Sequence, residues 1–181
     1  MRDPKTHIEE VLTEADRLMR PLSDVQVNWQ PAAGTWSVGE CVDHLSITTR
    51  RFRDSIEEAL IDSRRRNWSY ADPAKPSPFG LLFLRVVEPP VGFGKVKAPR
   101  DLLPQPNRPS REILSEFQTV HQGVLTHLPE YLKWDQNRTR VKSAFPVKFS
   151  LGLMLRVIPA HCRRHLWQAE QVAKMPGFPK A

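Results

Sequence analysis

Four long stretches of the chain repeat apolar residues at helical spacing. In the first, Ile8, Val11, Leu12, Ala15, Leu18 and Met19 lie on one face, which predicts a helix over 3–19. Asp3 suits its N-cap and Pro4 its first turn, and Pro21 ends it. The second begins at Ser37-Val38-Gly39-Glu40, a capping box with Ser37 as cap and Glu40 at N3. Trp36 and Cys41 stand at the two staple positions. This helix runs to about Arg66 and turns Cys41, Leu45, Phe52, Ile56 and Ala59 inward. The third spans Ser110 to about Lys133, with Ile113, Phe117, Val120, Val124, Leu128 and Leu132 as its apolar face. The fourth starts after Ser150 and stops at Lys174 or Met175, because Pro176-Gly177 cannot continue it. Pro159 lies inside it and predicts a kink just before His161.

The connections differ in kind. Residues 22–36 read as a connector carrying Trp29 and Trp36, and 134–149 as a polar, then basic and apolar lead into the last helix. Residues 67–109 hold nine of the chain's 17 prolines, which forbids a long regular element. The run Gly80–Glu88 inside them predicts one or two helical turns or a strand-like piece. The segment serves either as a functional lid or as an ordered crossover covering one end of a bundle. Four amphipathic helices without a convincing sheet predict an all-α four-helix bundle in a single domain spanning 1–181. The long crossover between the second and third helices lets those two run parallel.

Composition adds bounds. Hydrophobic residues make up 40% and charged residues 26%, as in ordinary soluble globular chains, and no apolar run has transmembrane length. The N-terminus has no apolar signal region, and two cysteines, Cys41 and Cys162, fit a reducing cytoplasm better than a disulfide scaffold. The net charge of +7 could draw an anion or nucleic acid. The clusters Arg50, Arg51 and Arg53, Arg64–Arg66, and Arg163–Arg164 lack interleaved aromatics and a nucleic-acid motif, so they read as solvated helix faces and helix ends. Neither nucleic acid nor a membrane is expected as a partner.

The chemistry concentrates in the last helix. Its apolar stripe consists of Met154, Ile158, Ala169 and Val172, and His161 and His165 straddle the midline, one turn apart. Two adjacent inward imidazoles are either core histidines satisfied by hydrogen bonds or metal ligands. Each neutral ring needs both a donor and an acceptor partner, and a metal ion removes half of that demand, which favours ligation. His44 lies at the edge of the second helix's stripe, where it fits a third ligand reaching towards the pair. His121 and His127 read as surface or hydrogen-bonded residues. Gln168, one turn beyond His165, could orient a ligand, and Arg51, two turns beyond His44, could hold an anionic cosubstrate. Trp167 faces away from the histidine pair and predicts coverage by the N-terminal segment or across a homodimer interface.

The stretches TWSVGECVDHL at 35–45 and HCRRHLWQAEQV at 161–172, followed by PGFP, resemble the DinB-like superfamily of metal-binding bundles. The resemblance implies a long crossover after the second helix and one metal held by His44, His161 and His165. It extends to bacillithiol- and mycothiol-dependent S-transferases and a mycothiol-dependent maleylpyruvate isomerase. Cys162 departs from the usual charged or small residue and is expected to pack rather than ligate. An open three-His site suits Zn²⁺ or Ni²⁺. Three functions follow: a metal-dependent transferase acting on a low-molecular-weight thiol, a metal-dependent hydrolase, or a non-catalytic metal-binding stress or interaction protein. The absence of an acid or base at fixed spacing from the histidines weighs against the hydrolase.

Overall fold

The computed structural model describes residues 3–70, 72–90, 98–143 and 146–180. The four expected helices are present as α1 (Pro4–Met19), α3 (Val38–Arg65), α5 (Ser110–Tyr131) and α6 (Leu151–Ala173). Their starts follow the chemistry of their caps. The Asp3 carboxylate accepts from Lys5 N, Ser37 and Glu40 form the full capping box, and the Ser150 hydroxyl accepts from Leu153 N. Helix α6 continues through Pro159.

Between these helices the sequence understated the order. The connector after α1 contains α2 (Asp24–Asn28), whose start is a second capping box, Ser23 with Gln26. The Pro-rich stretch contains α4 (Pro78–Val87), capped by Ser77, and a 3₁₀ turn at Arg100–Leu102. Residues 134–149 contribute a small antiparallel hairpin, β1 (Arg140–Lys142) with β2 (Lys148–Ser150), pairing Val141 with Phe149. Both of those apolar residues face the core while their neighbours stay outside.

Helices α3 and α5 run parallel. Arg50 pairs with Glu116 near one end of the contact and Arg64 with Glu130 further along both chains. Helices α3 and α6 run in opposite senses, since His44 meets His165 and Phe52 meets His161. Arg50, Arg51 and Arg64–Arg66 are exposed, as solvated helix faces are, while some arginines of the clusters also reach other elements. Arg66 lies over Trp68, Arg163 pairs with Glu88 at the end of α4, and Arg164 donates to the Val86 carbonyl. The last two bonds dock the crossover onto α6 beside the histidine pair.

The interior is divided into two apolar clusters. One is built around Val11, Leu45, Phe117, Cys162 and Leu166, the other around Phe52, Ile56, Tyr131, Met154 and Ile158. On α3 the first cluster ends at Leu45 and the second begins at Phe52; on α6 the switch falls between Ile158 and Cys162. Polar side chains fill this gap, Ser46, Thr48 and Thr49 on α3 and His161 on α6, and His44 and His165 lie at its edge. Among the described residues, no helix is long and apolar enough to cross a membrane. Trp167 is half-buried within the single chain.

Candidate metal centre

Three imidazoles converge at this boundary. His44 from α3 and His161 and His165 from α6 each offer a ring nitrogen, and the three nitrogens lie within 4.8 Å of one another. Ring centroids are separated by 5.2 Å (His44–His161), 4.7 Å (His44–His165) and 4.6 Å (His161–His165). His44 and His165 are buried, whereas His161 keeps partial access to the surface.

Two of the rings are oriented by partners. His44 Nδ1–H donates to the Leu102 carbonyl at 2.7 Å, and His165 Nδ1–H donates to Gln168 Oε1 at 3.1 Å. A proton held at Nδ1 leaves Nε2 as a free lone pair, the form in which histidine binds a metal. His161 Nδ1 is buried with no hydrogen-bond partner. An orphaned buried ring nitrogen costs stability unless something satisfies it, so the donor set fits a divalent ion. Trp36 closes one side, with its ring 4.7 Å from His44 and 5.6 Å from His165, and Phe52 lies 6.2 Å from His161.

Electrostatics keep these rings neutral. Burial lowers the pKa of all three; that of His165 falls to about 3, and that of His161 falls well below its ordinary value, with His165, His44 and Arg164 adding like-charge repulsion. Neutral imidazole is the ligating form, so at pH 7 no proton competes for these nitrogens.

The nearest acids are committed elsewhere. Asp43, buried beside His44, accepts from Gln105 N at 2.8 Å and pairs with Arg108. Glu40 accepts from Ser37 N and Gln30 as part of the cap. The Asp43 bonds pin residues 105–108 to α3, three residues past the carbonyl that orients His44. Leu102, Asp43 and Arg108 thus support the site although none was singled out in the sequence.

The sequence also understated His121. It is fully buried, and its Nδ1–H donates to the Phe117 carbonyl at 2.8 Å. Its single Nε2 lone pair is then shared between the Thr49 hydroxyl at 3.1 Å and the Cys162 thiol at 3.2 Å. This ring ties α5 to both ligand-bearing helices at the level of the cluster. Burial pushes the Cys162 thiol up to about 12, so it remains a protonated donor. His127 is exposed and bonded to the Gly123 carbonyl. Of the two supporting residues expected from spacing, Gln168 touches the cluster, whereas Arg51 is exposed and lines a separate pocket with Phe52 and Lys142.

Comparison with known families matches residues 7–169 to the model described as the DinB superfamily. No curated protein and no solved structure matches the chain.

Proposed function

The chain belongs to the DinB superfamily, and from that premise we propose that it is a divalent-metal-dependent transferase acting on a low-molecular-weight thiol, with Zn²⁺ or Ni²⁺ as the ion. The observation that carries this reading is a ligand group made of three neutral imidazoles and, among the described residues, no carboxylate. Such a set leaves positions open on the ion and leaves its charge uncompensated, which suits an anionic sulfur ligand.

The chain's own residues divide the work. His44, His161 and His165 would hold the ion. The Leu102 carbonyl and Gln168 keep the protons of two rings at Nδ1. Trp36 and Phe52 exclude water from the flanks. When bound, the ion would supply Lewis acidity that favours thiolate over thiol below the free-thiol pKa of about 8.5. Access runs past His161, the one ligand with surface exposure. A hydrolase would need a base beside the ion, and Asp43 and Glu40 are already spent on Arg108 and on the helix cap.

The test incubates metal-loaded protein with glutathione, bacillithiol, mycothiol or coenzyme A and a chlorinated or epoxide acceptor, with His161→Ala as control. Thioether product, followed by mass spectrometry and absent in the variant, supports the reading. Consumption of the acceptor by water alone would favour the hydrolase.

A further inference from the structure

Two turns along α3 from His44, a pocket of about 310 Å³ opens between that helix and the β1–β2 hairpin. Its wall carries three cationic side chains, Arg51, Lys142 and Lys148, with the Ser55 hydroxyl and the Phe52 ring. The charges are unbalanced. Lys142 is held by Glu58 at 2.8 Å, whereas Arg51 and Lys148 form no ion pair among the described residues. Some arginines of this chain are held by intramolecular partners, as with Arg50, Arg64 and Arg163.

Phe52 links this pocket to the metal centre. It lines the pocket and also lies 6.2 Å from the His161 ring. Phe52 thus stands between the basic pocket and His161, the partly exposed ligand. Arg51 lies seven residues beyond His44 on one continuous helix, a rise of about 10 Å.

We propose that this pocket binds the carboxylate end of the thiol, and that the substrate is therefore an extended, anionic thiol with about 10 Å between sulfur and carboxylate. This deepens the transferase reading and rests on it. Arg51 and Lys148 hold the acid, Ser55 offers a hydroxyl, and the chain of the molecule passes over Phe52 to bring its sulfur to the histidine cluster. A short neutral thiol reaches the cluster but gains nothing from the pocket. Arg51 is well suited to the task because its planar fork matches a carboxylate bidentately.

The experiment uses cobalt-loaded full-length protein and titrates it with glutathione, a tripeptide-sized dicarboxylate thiol, and with 2-mercaptoethanol, a short neutral one. The readout is the cobalt absorption spectrum, independent of turnover. The expected result is tighter binding of glutathione in the native chain. In Arg51→Gln/Lys148→Gln, its Kd should rise by roughly tenfold for each of the two lost charge-assisted contacts, with 2-mercaptoethanol unaffected. Both substituted side chains are exposed, so the fold should survive. Equal glutathione affinity in the native and doubly substituted proteins would overturn the pocket assignment while leaving the transferase reading intact. A cobalt spectrum that neither thiol moves would overturn both.

Discussion

His44 donates from Nδ1 to the carbonyl of Leu102, 58 residues further along the chain, at 2.7 Å. The ligand's orientation thus depends on a crossover segment remote in sequence, and that segment is fixed by the residue next to the ligand. Asp43 is 1% exposed and holds Gln105 N and Arg108. Asp43→Asn should retain part of this pattern but lose the charge opposite Arg108. We expect a loss of about 1–3 kcal/mol in denaturant unfolding and a metal affinity lowered by about 10–100-fold. Unchanged affinity in a folded variant would show that Asp43 does not hold the Leu102 carbonyl against the ring.

Gln168 accepts from His165 Nδ1–H. Gln168→Ala should weaken metal binding by about tenfold in chelator competition and change unfolding stability by less than about 0.5 kcal/mol, because the side chain is only half-buried. Gln168→Glu, which keeps an acceptor, should restore the affinity.

The role of His121 predicts a pH dependence. Burial lowers its pKa to about 4 in the fold, against about 6.5 when unfolded. Between those values the unfolded chain binds the extra proton, so stability is full above pH 6.5 and falls as pH drops towards 4. The contribution is on the order of 3 kcal/mol. His121→Phe should be less stable at pH 7 through its lost bonds to Thr49 and Cys162, yet show a shallower stability slope between pH 6.5 and 4. An unaltered slope would mean that this ring does not titrate on unfolding.

Trp36 offers an optical handle, because its ring packs 4.7 Å from His44. Binding of Ni²⁺ or Co²⁺ should quench tryptophan fluorescence, and Trp36→Phe should abolish most of that quenching although four other tryptophans remain. Quenching of equal depth in the variant would place the ion elsewhere.

The sequence exposed the frame of the site but not its supports. The long helices announce themselves through caps and periodic faces, and Ser37 with Glu40 placed His44 on α3 correctly. The i, i+4 spacing then set His161 and His165 on one inward face. Leu102 contributes through its backbone carbonyl, a group common to every residue and so silent in a sequence. His121 could have been found, since it lies four residues after the buried Phe117 and seven before Leu128, on the same face. The capping box at Ser23 and Gln26 carried the same signal that defined α3, but five residues are too few for a periodic face. The hairpin strands, three residues each, fall below the length at which alternation is distinctive.

The central claim is that His44, His161 and His165 share one divalent ion, and X-ray absorption of the zinc- or nickel-loaded protein, combined with metal analysis of each His→Ala variant, addresses it most directly. The expected result is one ion per chain with about three imidazole nitrogens at roughly 2.0–2.1 Å, and loss of that ion on substituting any of the three. Full metal content in all three variants, or a first shell dominated by sulfur from Cys41 or Cys162, would contradict it.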